Sequence, residues 1–254
     1  MNASPVELSV AGPVAELRIR GAINLDWTRA LRAHATELRS RDDIRVVRIS
    51  AEGRFFCPGG DLRWMADQPD RTAAVKELAD AFHAGLVDLT ATEAPIVAEV
   101  HGAAAGAGVS IVLLADIVVA AESAAFTLAY VSAGLSPDGG SSWLLPRIVG
   151  RRRALEIMLL NPTVDAHQAE QLGLVTRVVP DETLRQTADG IVAQLAAGPT
   201  AAYAAARRLL LRSAHASFEE QLDAEAAEIA QLAGGPTGTE GIHAFLEKRK
   251  PGFG

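Results

Sequence analysis

Only one of the 254 residues is cysteine, Cys57. A lone thiol excludes an intrachain disulfide framework and a zinc site built from cysteine clusters, and it suits a reducing compartment. Lysine is nearly as scarce, with Lys76, Lys248 and Lys250 alone, so the positive charge is almost all arginine. The formal charge of −7 leaves no excess of cations for phosphate neutralisation, which excludes a general nucleic-acid binder. A local basic patch for a small phosphorylated ligand stays open. Long apolar runs are missing as well: the best candidate, 109–121, is interrupted by Asp116 and falls short of the ~20 residues of a membrane span. Residues 1–14 lack a basic stretch followed by an apolar core, so no export signal is expected. These absences together predict a cytoplasmic chain with neither membrane nor nucleic acid as partner.

Several familiar site signatures are also absent. Gly106-Ala107-Gly108 begins like a dinucleotide fingerprint, but the third glycine would fall at Ile111. There is no phosphate-binding GxxxxGK[ST] loop, and Ser110, Ser136, Ser141 and Ser142 stand in no GxSxG elbow. His34, His83, His101, His167, His215 and His243 have no metal-ligand spacing, so no metal is expected and the histidines read as structural or surface residues.

What is present is an ordinary globular composition, 49% hydrophobic and 22% charged, enough for a sizeable core. Strand-like runs at 6–10, 15–19, 46–50, 96–100 and 117–120 alternate with helical periods at 27–40 and 72–90 and a buried helix at 109–115, a βαβ-type α/β pattern. From about Thr200 the composition turns to Ala, Leu, Glu and Arg at helical spacing through Leu232. Gly234-Gly235-Pro236 then breaks the run before a last helix at 240–250. Gly198-Pro199 is the best boundary, dividing a mixed core, 1–198, from a helical extension, 199–254.

Two glycine-bearing segments, 55–62 (FFCPGGDL) and 102–108, each follow a strand and open a helix. Either glycine serves only the geometry of two tight turns, or two backbone N–H groups there form an oxyanion hole. Asp138, in Ser136-Pro137-Asp138-Gly139-Gly140, is open in the same way: a turn residue that caps a following helix at 141–148, or an acid/base.

Five segments, 55–62, 94–126, 134–150, 169–180 and 244–253, resemble in order and content the crotonase superfamily of enoyl-CoA hydratases and isomerases. The resemblance implies a spiral of ββα turns followed by a helical C-terminal region that mediates trimerisation. It also implies a homotrimer or homohexamer, and an acyl-CoA thioester as substrate with no separate cofactor. The positions matching the family's oxyanion-hole amides are Gly60 and Ala107. Where a hydratase of the family has its two glutamates, this chain has Ser110 and Tyr130, neither a base near neutral pH. Asp138 matches an acidic position of the family's double-bond isomerases. The resemblance therefore implies an enoyl-CoA isomerase with Asp138 as acid/base; the alternatives are a divergent hydratase and a noncatalytic acyl-CoA binder. Trp64, Met65, Tyr130 and Trp143, with Ser110, are the expected acyl-pocket residues, while Phe82 and Leu86 are expected in the core. Arg54, Lys248 and Phe253 are the expected contacts to CoA, the basic tail being open as well to the plainer role of a solvated helix end.

Overall fold

A computed structural model describes residues 4–253. Strand β1 (Val6–Ala11) pairs antiparallel with β2 (Val14–Arg20). Helix α1 (Leu25–Arg39) starts where the Asn24 side chain accepts the Trp27 N–H, and it buries Trp27, Leu31, Ala35 and Leu38 on one stripe. Next come β3 (Val46–Glu52), the short α2 (Leu62–Ala66) and α3 (Arg71–Thr90), each helix capped by an aspartate, Asp61 and Asp70. The chain continues through β4 (Ile96–Val100), β5 (Ala103–Ala105), α4 (Ala107–Leu114), β6 (Ile117–Ala121) and β7 (Ala125–Thr127). It then runs through α5 (Ser141–Leu160), β8 (Val164–Asp165), α6 (Ala166–Gln171), β9 (Arg177–Val179) and α7 (Leu184–Ala196).

The large sheet has the order β1-β2-β3-β4-β6-β9 and is parallel from β2 onward. β3 and β4 lie inside it, and their VVRIS and IVAEV runs are buried on both faces, as parallel interior strands require. A smaller sheet, β5-β7-β8, is extended by single bridges at Cys57–Ala104 and Ile23–Gly60. Each strand of the large sheet from β2 to β6 is thus followed by a short stretch in the small sheet and then by a helix, which is the expected α/β spiral of ββα turns.

The face of the large sheet under α7 carries a polar stripe between two apolar clusters. Glu16 accepts Ser50 Oγ at 2.6 Å and Arg185 Nη1 at 3.0 Å, and Arg48 Nη1 donates to Asp189 at 2.7 Å. Arg48 Nη2 also lies 2.9 Å from Glu99 Oε2, close enough for charge attraction but not aligned as a hydrogen bond. Val46, Val97 and Val192 close over one end of the stripe, so α7 is docked by both burial and paired charge.

Helices α8 (Thr200–Ser213), α9 (Phe218–Gly234) and α10 (Pro236–Leu246) follow. The expected continuous run through Leu232 is divided at Ser217, because Ser217 and Glu220 form a capping box that starts a new helix. The last helix begins at Pro236 rather than Glu240, proline being suited to a first turn, and ends before Lys248, whose φ is +55°. Helix α5 runs past the expected end at Ile148, with a break at Gly150 (φ 77°, ψ 155°). α8 is tied to the core by Arg207, which pairs with Asp116 at 2.8 Å and donates to Ala94 O at 3.1 Å. No helix among the described residues is long and apolar enough to cross a membrane.

Burial opposes ionisation of Glu16, but hydrogen bonds from Arg185 and Ser50 and the nearby arginine charges outweigh it and hold the carboxyl at about 2. A carboxyl depressed in the folded state stabilises fully above its unfolded pKa, and that stabilisation is lost as pH falls through the folded value. Glu16→Gln is therefore expected to lower unfolding stability at pH 7 by about 1–3 kcal/mol. The gap to wild type should close between about pH 4.5 and 2, as read from denaturant unfolding at each pH.

Candidate active site

The two glycine-bearing loops meet because the backbone of one pairs with that of the other. Cys57 N–H donates to Ala103 O at 3.2 Å and Ala105 N–H to Cys57 O at 2.8 Å. One step further, Gly59 has φ +91°, and a Cβ there would stand 2.7 Å from Ala105 O, so only glycine lets the strands approach this closely. Ile23 then brackets the loop from its other side, accepting from Asp61 N–H and donating to Gly59 O, both at 2.8 Å. This pairing leaves two N–H groups over. Among the described residues neither Gly60 N–H nor Ala107 N–H donates to a protein acceptor, and Ala107 is the first residue of α4, where helical N–H groups have no internal partner. Both residues line one cavity of about 110 Å³. That is room for the reacting head of a ligand and less than the roughly 300–1,000 Å³ of a pocket enclosing a drug-sized molecule.

Among the described residues, Asp138 is the one carboxylate lining that cavity. Gly139 (φ +60°) and Gly140 (φ +79°) turn the chain sharply into α5. The capping alternative does not hold: α5 has no side-chain cap, and Asp138 serves it through its carbonyl, which accepts Ser141 N–H at 3.2 Å. Hydroxyls gather on the same carbonyl, Ser110 Oγ and Ser141 Oγ at 2.9 Å each and Tyr130 Oη at 3.2 Å. A Cβ on Gly139 would come within 2.7 Å of Phe82 and 2.8 Å of Ser110, so the turn is pressed against α3 and α4. With its backbone held this way, Asp138 lines the cavity, and its carboxylate meets His83, whose Nε2 lies 2.6 Å from Oδ1.

The expected pocket set divides. Met65 and Tyr130 line the cavity, the Met65 methyl lying against Gly60. Ser110 does not line it: the side chain is fully buried and turned onto the Asp138 carbonyl, because α4 is apolar all round and that carbonyl is the acceptor within reach. Trp64 packs on the core beside the cavity, and Trp143 is carried by α5 to a separate surface groove, where Arg147 lies 3.8 Å over its ring and His215 is adjacent. Phe82 is in the core as expected, fully buried against Trp27, and also forms a cavity wall; Leu86 is core alone. Arg54 is exposed and stacked on Phe55 at 5.1 Å. Phe253 lines another groove with Asp42, Arg45 and Glu240, away from Asp138 within the same chain, and Lys248 is exposed on the turn after α10.

Burial is the main influence that raises the Tyr130 phenol above its ordinary value, and the Asp138 charge adds to it, so the hydroxyl is a donor rather than a base. Burial likewise pushes the Cys57 thiol up to about 11, leaving it a packing residue beneath the loops. His83 is at the surface, as expected of the histidines, and in addition meets the Asp138 carboxylate. It stands at a solvent-facing helical position in the 72–90 period, 55 residues from Asp138, and no local spacing marks the pair. Two unpaired N–H donors and a single carboxylate around one small cavity are the parts needed to hold an oxygen that gains negative charge while a proton leaves the neighbouring carbon.

The enoyl-CoA hydratase/isomerase family model matches residues 19–254. The 1,2-epoxyphenylacetyl-CoA isomerase of Escherichia coli K12 is 39% identical over 217 residues, 84% of this chain and 82% of that protein. The 2,3-dehydroadipyl-CoA hydratase of the same organism is 33% identical over 97% of this chain and 93% of its own length. Among solved structures, an enoyl-CoA hydratase from Mycobacterium smegmatis superposes with a TM-score of 0.92 at 29% identity, covering 98% of each chain. With the family model spanning nearly the whole spiral and its helical extension, this chain belongs to the enoyl-CoA hydratase/isomerase family, the crotonase superfamily.

Proposed function

We propose that the protein is an enoyl-CoA double-bond isomerase. Asp138 is its acid/base, and the N–H groups of Gly60 and Ala107 hold the thioester oxygen. The observation that carries this is the solitary carboxylate: among the described residues, Asp138 is the only acidic side chain lining the cavity that both free N–H groups also line. Isomerisation needs one such group. The carboxylate takes a proton from one carbon, the C–H electron pair passes into the thioester enolate, and the same group delivers a proton to the far end of the conjugated system. Preorganised donors aimed at the developing oxyanion are worth about 2.7–4 kcal/mol each. The isomerase name of a 39% identical relative supports the same reading.

Hydration asks for more. A water must be held and activated while the α-carbon is protonated, and the hydroxyls of Ser110 and Tyr130 are committed to the Asp138 carbonyl. The hydratase name of another relative keeps that activity as the second reading.

In this proposal the apolar walls at Met65, Leu78, Phe82 and Leu135 receive the acyl group, and Arg54 meets the CoA phosphates at the mouth beside Phe55. The basic tail, Lys248 with Phe253, serves a CoA only across a subunit boundary. Assembly through the helical region 199–254 is supported by its uncovered apolar side chains. α9 has no buried residue, and Phe218 and Phe245 are 78% and 82% exposed. Such a surface matches a symmetric homo-oligomer better than a monomer.

Three measurements test these assignments. Wild-type protein should convert 3-hexenoyl-CoA to the conjugated isomer, with Asp138→Asn slower by about 10²–10⁴-fold. Undiminished turnover in that variant would remove Asp138 from the mechanism. Crotonyl-CoA hydration should be slower than isomerisation by about a hundredfold or more, and comparable rates would favour the hydratase. Light scattering should give a mass of three or six chains, and a monomer at micromolar concentration would exclude the assembly proposed for α8–α10.

A further inference from the structure

The contact between His83 and Asp138 has no role in the mechanism above. His83 Nε2 stands 2.6 Å from Asp138 Oδ1, and the Gly139 N–H points at the same nitrogen at 3.3 Å. Two lone pairs do not face each other at 2.6 Å, so one proton lies between ring and carboxylate. With that proton on Nε2, the ring donates to Asp138 and has no lone pair for Gly139. With it on Oδ1, the single Nε2 lone pair accepts from the carboxyl, and the Gly139 N–H at 3.3 Å shares that lone pair as the weaker, bifurcated partner. The nitrogen is therefore hydrogen-bonded on either side of a proton transfer, and the main chain next to the carboxylate supports the second state.

The two groups face different surroundings. Asp138 opens on a cavity walled by Met65, Leu78, Phe82 and Leu135, whereas His83 does not line that cavity and 47% of its side chain is exposed on α3. Among the described residues His83 is the only side chain that hydrogen-bonds the Asp138 carboxylate. Carboxylic acid and imidazole both exchange protons with a bonded partner far faster than a carbon acid does, so hydrogen taken into the cavity has a ready path out.

We infer that His83 is a proton relay between Asp138 and water, through which hydrogen removed from substrate is traded for solvent hydrogen before it is returned. This rests on Asp138 being the acid/base proposed above. Abstraction leaves the C–H electron pair in the enolate and the proton on Asp138. The half-exposed ring sheds its Nε2 hydrogen to water and takes one from water on Nδ1, which frees the Nε2 lone pair; Oδ1 then passes its proton to Nε2, forming an imidazolium and restoring the carboxylate. The ring exchanges its N–H hydrogens with water, and a solvent-derived hydrogen returns through Nε2 and the carboxylate to the far carbon. No oxidant or further reactant is consumed. His83 acts through Asp138 and is a positioning and relay residue rather than one that touches substrate.

The test is run in heavy water with 3-hexenoyl-CoA, scoring by mass spectrometry and NMR the fraction of product that carries deuterium at the newly formed C–H bond. Wild type should label most of its product. His83→Gln retains an amide able to donate to Oδ1 but carries no exchangeable ring proton to pass on, and its labelled fraction should fall by about tenfold, whatever happens to its turnover. His83→Ala should change the fraction in the same direction. Equal labelling in wild type and both variants, or no label in wild type, overturns the relay while leaving Asp138 and the isomerase assignment intact. Should wild type fail to isomerise hexenoyl-CoA, the relay is read from deuterium entry at the α-carbon of butyryl-CoA, which has no double bond to move. Entry that is about tenfold slower in His83→Gln supports the relay, and equal rates or no entry overturn it.

Discussion

Backbone pairing between Cys57 and Ala104 holds the two glycine-bearing loops together, and the cavity exists because of where that pairing stops. Up to Ala105 the N–H and C=O groups of the two segments satisfy each other or their neighbours in the small sheet. Beyond it the chains diverge, one into α2 and one into α4, and each leaves a residue whose N–H has no protein acceptor among the described residues. An unpaired N–H beside an apolar cavity is costly unless something accepts it. Here the uncompensated donors are the part of the fold suited to binding a developing negative charge. The close approach also sets the local composition, since Gly59 meets Ala105 O and Gly108 meets Cys57.

A second constraint acts at the far wall of the cavity. Asp138 is held by its carbonyl rather than by its carboxylate. Ser110, Tyr130 and Ser141 supply the hydroxyls for that carbonyl, and the Gly139 turn is wedged against Phe82 and Ser110. Three hydroxyls and an N–H exceed what two lone pairs accept in full, so Ser110 and Tyr130 also sit within 3.3 Å of one another and share the proton inventory. The consequence is positional: the Ser110 and Tyr130 hydroxyls fix the main chain of the neighbouring Asp138. That leaves Asp138 lining the cavity with its carboxylate on His83.

Much of the architecture was legible in local pattern. The buried parallel strands, the amphipathic periods of α1 and α3 and the all-apolar α4 all report short-range periodicity, which a linear chain carries openly. The departures arose where a cap or a single backbone conformation intervened. Ser217 with Glu220 divided the helical run of 199–254, Pro236 moved the last start forward, and Gly150 broke α5 without ending it. The second sheet was invisible for a related reason: its strands are three residues or shorter, too brief for any alternation to register.

By itself the sequence determined that two glycine turns open helices after strands and that a P-D-G turn presents one aspartate. These are properties of residue type and spacing, and conformations such as φ > 0 select their residue directly. Only the tertiary structure decided which groups share the cavity. It joined Asp138 to His83 across 55 positions, withdrew Ser110 from the cavity, and carried Trp143 to a different groove although it lies five residues from Asp138. Helix direction sends close neighbours to opposite surfaces and brings distant segments into contact, and no local period encodes which of them meet.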